Sequence, residues 1–288
     1  MTLNKLIVYI LFFSCALFSC KTKTTTKEDK FKNPTRYDVH NPAIMKLPDM
    51  MAEISGIVYY PKDSTLFGII DEDGLFYKIP FDQKGEIKRW RFNKGHDYED
   101  LVLLDSVFYV LVSNGKIETL KFVGDSIEST KSEFPNAGKK TNEFESLYYD
   151  DSLKQFVLLC KDCELDNDDI LTAWGYDTAT KEYKPSIYTI NVKEIAQKLG
   201  VEKLKLKPSG ASINPVTNDL YIISAINNLI VITDRAGKFK DLYQLDPAIY
   251  KQPEGITFTP SGDMIISNES NQTGLANILF IKDKKTGI

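Results

Sequence analysis

Five segments of the chain share one pattern of apolar and polar positions. Each begins with Glu or Ser, continues in most cases with a small residue, and has apolar residues at the third and fifth positions. A second apolar run, such as TLFGII or VFYVLV, begins two to five residues after each segment. The segments are SGIVYYP (55–61), EDLVLLD (99–105), ESLYYDD (145–151), SGASINP (209–215) and EGITFTP (254–260).

The spacing of these segments indicates a structural repeat. Their first positions lie 44, 46, 64 and 45 residues apart, so the third interval is about 18 residues longer than the others. Such a period, filled with several short strands, is typical of a propeller blade of four antiparallel strands. The sequence therefore predicts an all-β fold, a five-bladed β-propeller. Six blades are the alternative if the long third unit contains further strands.

The last repeat supplies three strands, so the fourth must come from elsewhere in the chain. The segment RYDVHNPAIMKLP, Arg36–Pro48, precedes the first repeat and has the character of a strand. We expect it to complete the fifth blade and close the ring, because closure removes the exposed strand edges of an open blade. Residues 36–288 would then form a single domain. In the long third unit, Asn191, Glu194 and Gly200 predict a short capped helix.

The N-terminus has the pattern of an export signal. After Lys5 an apolar run extends from Leu6 to Phe18, and LFSC ends it at Cys20. This end resembles that of bacterial lipoproteins, which implies a signal peptide at 1–19 and a lipid on Cys20 that attaches the protein to a membrane of the bacterial cell envelope. Residues 20–35 would then be the lipidated cysteine and a flexible polar tether. An uncleaved N-terminal anchor is the alternative.

The charge of the chain and its cysteine content restrict the kinds of partner and site that the protein can have. The net charge of −4 and the lack of a basic stripe interleaved with aromatic residues argue against nucleic acid as a partner. Cys160 and Cys163 remain in the exported domain as CKDC. A disulfide and two free thiols are equally favoured for this pair, with a redox dithiol less so, and a zinc site would need a second pair of ligands.

The repeat also predicts a polar ring. The first strand of a propeller blade is the innermost one, so the starts of first strands and the ends of second strands meet at one mouth of the channel. Carboxylates so close together would repel unless they held a cation or a basic ligand. The alternative is that they cap backbone N–H groups of the neighbouring blade. The predicted ligand-binding residues are Glu53, Ser55, Asp71, Glu99, Glu145, Ser209, Glu254 and Glu269, with Asn114, Lys161 and Asn227 at the remaining second-strand ends.

Six motifs in order carry a family resemblance. They are AEISGIVYYP, IIDEDG, HDYEDL, NEFESLYYD, KPSGASINP and QPEGITFTPSGDMIISNE, and the resemblance that they carry covers the chain from about Asp49 to Lys282. The chain resembles the SdiA-regulated domain family, the YjiK-like β-propellers. The resemblance implies an exported or membrane-attached propeller with its polar positions at one face, but no reaction. The DNDD run and CKDC in the third unit depart from that pattern.

Two classes of function are consistent with this sequence. The first is a non-catalytic binding module that holds a small ligand or a protein partner at the channel mouth. The second is a calcium-dependent hydrolase of the phytase or lactonase kind, with Glu99, Glu145 and Glu254 as metal ligands. With His40 and His96 as the chain's two histidines, Ser-His-Asp catalysis is disfavoured. Phosphate capture would need clustered cations, so we favour binding and assign no catalytic residue.

Overall fold

The structure is a computed structural model that describes residues 31–81, 85–135, 142–270 and 274–285. The predicted signal peptide, Cys20 and residues 21–30 of the predicted tether lie outside the described residues. Residues 31–35 contact the domain, since the Pro34 carbonyl accepts a hydrogen bond from the Tyr37 N–H and the Phe31 carbonyl contacts the His40 ring. Within these ranges no helix has the length and apolar character needed to cross a membrane.

The described chain forms five antiparallel sheets of four strands each. Blade one contains β2 (Ile54–Tyr60), β3 (Thr65–Ile70), β4 (Leu75–Pro80) and β5 (Lys88–Arg91). Blade two contains β6 (Tyr98–Leu104), β7 (Val107–Val112), β8 (Ile117–Val123) and β9 (Ser126–Lys131). Blade three contains β10 (Asn142–Asp150), β11 (Gln155–Cys163), β12 (Ile170–Asp177) and β13 (Glu182–Asn191). Blade four contains β14 (Gly210–Ile213), β15 (Leu220–Ser224), β16 (Leu229–Thr233) and β17 (Phe239–Gln244). Blade five contains β18 (Pro253–Phe258), β19 (Met264–Asn268), β20 (Asn277–Ile281) and β1 (Ala43–Lys46).

These sheets form a five-bladed β-propeller. The first strands β2, β6, β10, β14 and β18 contact one another in a ring around the axis. The predicted number of blades is confirmed, and the six-bladed alternative is wrong. The extra length of the third unit went into longer strands and a helix. Helix α1 (Val192–Leu199) begins where the Asn191 side chain accepts a hydrogen bond from the Glu194 N–H at 3.0 Å, and it ends at Gly200 with φ 77°, as predicted.

The N-terminal segment closes the ring as predicted. Strand β1 pairs antiparallel with β20, with Ala43 opposite Phe280. Upstream of the strand, Tyr37 is fully buried and its hydroxyl donates to the Gly262 carbonyl at 2.7 Å. Arg36 pairs with the carboxylate of Asp283, which follows β20. Side-chain packing and an ion pair therefore reinforce the four residues of the closing strand.

Apolar layers between the blades hold the ring together. Each pair of neighbouring blades encloses its own cluster of buried side chains. Between blades one and two the cluster is largely aromatic, and Phe67, Phe76 and Phe108 lie within 5 Å of one another, centroid to centroid. Such burial contributes about 1.5–3 kcal/mol per large side chain. The alternating apolar positions of the inner strands supply residues to the clusters on both sides.

We expect deletion of Arg36–Pro48 to lower the free energy of unfolding by more than about 3 kcal/mol, because it removes β1, exposes the edge of β20 and empties the site of a buried tyrosine. Deletion of residues 21–30 is the control and should leave the thermal midpoint unchanged. Calorimetry of both variants tests this expectation. Equal midpoints for wild type and both deletions would contradict closure by this segment.

Candidate functional site

The inner strands place their glutamates at β-bulges. In β6 the pairing with β7 skips Glu99, which lies between two paired neighbours. The pairing of β10 skips Glu145, and that of β18 skips Glu254. A bulge leaves one residue unpaired in the ladder and changes the direction of its side chain. The side chains of these glutamates therefore do not follow the regular alternation between the two faces of the sheet.

The residue after each bulge position packs against the next blade. At Gly56 a Cβ atom would lie 2.5 Å from the Cα of Asp100, so a side chain has no space there. In blade two the equivalent residue is Asp100 itself, and its buried carboxylate accepts a hydrogen bond from the Leu147 N–H of blade three at 2.8 Å. The small second position of the sequence pattern therefore reflects the close approach of inner strands. Asp100 therefore has the role that was the alternative for the ring carboxylates, since it caps a backbone N–H group of the neighbouring blade.

Five carboxylates, which we call the acidic mouth, influence one another at this end of the channel. Burial raises the pKa of Glu99 to about 8, and the charges of Glu145 and Asp71 add to the rise. Burial and then neighbouring carboxylates raise the pKa of Glu269 to about 7 and that of Asp71 to about 6. Burial, followed by the charges of Glu145 and Glu269, raises the pKa of Glu254 well above its usual range.

Lys161 brings a positive charge into the acidic mouth. It lies on β11, and its ammonium pairs with the Glu145 carboxylate. Burial opposes the charge on Lys161, but the hydrogen bond to Glu145 and the charges of Glu145 and Glu99 outweigh burial and raise the pKa of the lysine. Cys160 and Cys163, on either side of this lysine, are joined by a disulfide with a Cα–Cα distance of 5.7 Å. The bridge restricts the backbone that carries the ammonium.

Other predicted site residues have local roles. The buried hydroxyl of Ser209 donates to the Pro253 carbonyl at 2.6 Å, which links blades four and five. Ser55 is buried at the equivalent position of blade one. Asn114 and Asn227 make hydrogen bonds within their own turns. The asparagines thus order their own turns, while Glu53 is exposed and acts on Asp71 and Glu269 through its charge.

Sequence reasoning missed Gln252. Its amide donates to the Glu269 carboxylate at 2.6 Å and also hydrogen-bonds the Glu254 side chain, so one amide connects two carboxylates of the mouth. Its position two residues before Glu254 was the available signal, since it matches the position of Glu53 before Ser55.

The histidines have partners away from these carboxylates. The Nε2 atom of His96 lies 2.6 Å from the Lys131 ammonium, and that of His40 lies 2.6 Å from the Phe31 carbonyl oxygen. The structure therefore supplies no reason to revise the expectation against Ser-His-Asp chemistry.

The spacing of the donors restricts what the mouth can hold. Within the described ranges, Cys160, Cys163 and Asp166 are the sole trio of potential metal ligands with atoms all within 4.8 Å of one another. Two of these are joined as a disulfide, and Glu99, Glu145 and Glu254 do not meet that distance. Carboxylate oxygens are the donors that calcium prefers, but calcium needs them 2.3–2.6 Å from one centre. The glutamates offer the oxygen donors that calcium prefers, but these oxygens lie too far apart to bind one ion together.

Two buried polar atoms of the inner ring lack partners among the described residues, one at the mouth and one between blades three and four. The Oδ1 atom of Asp71 and the hydroxyl of Ser146 have no hydrogen-bond partner among the described residues. Ser146 lies opposite Leu159, which belongs to the apolar cluster between blades three and four, so its hydroxyl is on the side of blade four. Ser146 is fully buried. Unpaired buried groups of this kind are rare in native proteins and often mark a site for water or an ion.

The loops at this end of the propeller also expose apolar side chains. Ile226, between β15 and β16, is 69% exposed, and Leu275, between β19 and β20, is 56% exposed. Met50, before β2, is 44% exposed. The face that contains the acidic mouth thus has apolar residues on its loops.

The sequence matches one known protein family. The sequence model of the SdiA-regulated family matches residues 33–273, which include the closing strand and every residue of the acidic mouth. The chain belongs to the SdiA-regulated family. No curated protein matches this SdiA-regulated propeller.

Solved structures share the fold at low identity. Glutaminyl cyclase from Myxococcus xanthus is 12% identical, with a TM-score of 0.55 over 84% of this chain and 96% of that one. Regucalcin, a calcium-binding protein from Agrobacterium tumefaciens, is 11% identical, with a TM-score of 0.52 over 88% and 96%. A luciferin-regenerating enzyme is 12% identical, with a TM-score of 0.51 over 85% and 96%. At such identity the likeness shows the fold alone.

We expect the stability of this SdiA-regulated propeller to fall as pH rises from about 5 to 8. The pKa of Glu99 is raised from 4.5 to about 8, so the folded state holds a proton that the unfolded state has lost in this window. One such proton changes the free energy of unfolding by about 1.4 kcal/mol per pH unit. Glu99→Gln should reduce the fall by about that slope.

Urea unfolding at several pH values measures this slope. Glu128→Gln, on the exposed part of β9, removes the same charge and serves as the control. It should leave the pH dependence unchanged. Identical slopes for wild type and Glu99→Gln would show that Glu99 titrates in its ordinary range.

Proposed function

We propose that this SdiA-regulated propeller is a non-catalytic binding module that holds a cationic group in its acidic mouth. The convergence of Glu99, Glu145 and Glu254 from three bulges, with Asp71 and Glu269 beside them, is the observation that carries the proposal. The bulges fit the inner strands against their neighbours, but that packing does not require acidic side chains at Glu99, Glu145 and Glu254. A ligand's positive charge would offset both their repulsion and their burial.

Protonation state gives the site its selectivity. Burial holds protons on Glu99 and Glu269 near neutral pH, with pKa values of about 8 and 7. A bound cation favours the ionised carboxylates, so binding should release protons and strengthen as pH rises. The partner would be a small ligand or a segment of a protein with a positively charged group.

A calcium-dependent hydrolase is the second candidate. The oxygen donors and the unpartnered Oδ1 atom of Asp71 favour it. The wide spacing of the glutamates and the presence of Lys161 among them favour a larger organic cation instead. To bind a single metal ion, the three glutamates would have to move closer together.

A cation titration distinguishes these candidates. We expect n-butylammonium, at a hundredfold excess over its dissociation constant, to stabilise wild type by about 2.7 kcal/mol. The Glu99→Gln, Glu145→Gln double variant should show no such shift. The control is the double variant Glu128→Gln, Glu182→Gln, which removes two exposed charges and should respond like wild type.

Thermal unfolding at constant ionic strength measures these shifts, with calcium chloride in a parallel series. A shift of equal size in the mouth variant would place the cation elsewhere and contradict the proposal. A response confined to calcium would favour the hydrolase, and a turnover screen with phosphate esters and lactones would follow.

We further propose that a lipid on Cys20 anchors the domain in the bacterial cell envelope. LFSC ahead of a polar segment supports this, and each buried methylene of an acyl chain contributes about 0.8 kcal/mol to membrane binding. Cys20→Ala should release the protein from the membrane fraction or leave its precursor unprocessed. Cys15→Ala, within the same apolar segment, is the control and should remain attached. Mass spectrometry that finds unmodified Cys20 in the mature protein would contradict the anchor.

A further inference from the structure

The disulfide of blade three lies beside a third potential metal ligand. Cys160 and Cys163 are on β11, and Asp166 follows three residues after the second cysteine. The Asp166 N–H donates to the Cys163 carbonyl at 3.1 Å, and this turn brings the carboxylate back beside the sulfurs. The two Sγ atoms and one oxygen of Asp166 all lie within 4.8 Å of one another. Three donors of two chemical kinds therefore converge on one point.

These separations suit zinc once the two sulfurs are no longer bonded to each other. Tetrahedral ligands about 2.3 Å from a zinc ion lie about 3.8 Å apart, so the three donors need only small side-chain rotations. Two cysteines separated by two residues are also the usual half of a zinc site. Thiolates together with a carboxylate favour zinc over calcium or magnesium, which take oxygen ligands.

Thr172 orients the carboxylate of this trio. Its backbone N–H donates to the Oδ1 atom of Asp166 at 2.7 Å, and its hydroxyl donates to the same oxygen. The hydroxyl also lies 3.6 Å from the Sγ atom of Cys160. Hydrogen bonds of this kind commonly orient carboxylates that bind metals. Because both bonds use Oδ1, the Oδ2 atom can bind an ion while the side chain keeps its position.

A cavity of about 150 Å³ gives an ion access to these donors. Cys163 and Asp166 line it, together with apolar residues such as Leu171 and Leu206. Cys160 lies behind them and is fully buried. A water molecule takes about 30 Å³ of liquid volume, so the cavity has space for several. One of these waters would complete a tetrahedral coordination shell.

We propose that Cys160, Cys163 and Asp166 form a zinc site when the disulfide is reduced. A dithiol donor supplies two electrons and two protons, so the S–S bond breaks, two thiols form and the donor becomes a disulfide. Zinc then binds both sulfurs as thiolates, and the two thiol protons pass to solvent. Asp166 and a water take the place of the second ligand pair that the sequence was expected to need. This end of β11 is thus held either by the S–S bond or by the metal.

Cobalt(II) is the probe for this site, because thiolates that bind it give a charge-transfer absorption band. The full-length chain with Cys15→Ala and Cys20→Ala keeps Cys160 and Cys163 as its two cysteines. It is reduced without oxygen by a trialkylphosphine, which becomes the phosphine oxide. We expect one cobalt ion per chain with the thiolate band, and zinc should remove that band. The oxidised protein should not develop it.

Substitutions in this background test each ligand. Asp166→Asn keeps the Oδ1 acceptor that Thr172 uses, and it should weaken zinc binding at least tenfold in competition with a chromophoric chelator. Asp168→Asn is the control, because it removes an exposed carboxylate of the same loop, and it should bind like the parent. Cys163→Ser should abolish the band.

Three results would overturn the proposal. They are equal zinc affinity of Asp166→Asn and its parent, a reduced protein without the thiolate band, and a thermal midpoint that shows the reduced protein to be unfolded. In the last case the three donors would not converge. Cations in the acidic mouth meet oxygen donors and give no thiolate band. Failure of the zinc site would therefore leave the proposed function of the mouth unaffected.

Discussion

Five strands that begin around one narrow axis must approach one another more closely than strands in stacked sheets, which lie about 10 Å apart. The contact between Gly56 and the backbone of Asp100 is the clearest case. A bulge accommodates this approach because it inserts one extra residue into the inner strand. The residue after the bulge position fits the narrow gap between two inner strands, and the residue at the bulge position is left unpaired in the ladder. Three of the five carboxylates of the acidic mouth, Glu99, Glu145 and Glu254, are residues left unpaired in this way, so their position follows from how the blades pack.

This origin explains why the fold tolerates so many buried carboxylates. Each of them costs stability when ionised, but five apolar layers and a closed ring hold the bulges in place regardless of their charge. Proteins commonly accept local strain or repulsion at functional positions because the surrounding packing compensates. Protonation of Glu99, the ion pair of Lys161 and the Gln252 amide each reduce the cost. None of them removes it, which leaves the mouth ready to accept further positive charge.

Much of the fold could be predicted because five copies of one pattern support the same assignment of strands in every blade. The blade count, the closing segment and the cap at Asn191 needed only spacing and local chemistry. The different roles of the residues in the predicted polar ring could not be predicted, because they depend on the strand register at the bulges. Glu99 and Asp100 are neighbours of the same charge, yet one faces the channel and the other bridges to Leu147. The pairing of Lys161 with Glu145 was equally hidden, since it depends on an irregular end of β11.

The strand that completes blade five has a further consequence for how the protein is made. Ala43–Lys46 leave the ribosome before every other strand of the propeller, while their partners in β20 leave it after all the others. Until those partners arrive, β1 has no neighbour, and the growing set of blades has an open edge at each end. Contacts between such distant segments fold slowly and expose strand edges meanwhile. Closure of the ring is therefore also the step that protects the molecule, and synthesis must pass β20 before the first strand finds its place.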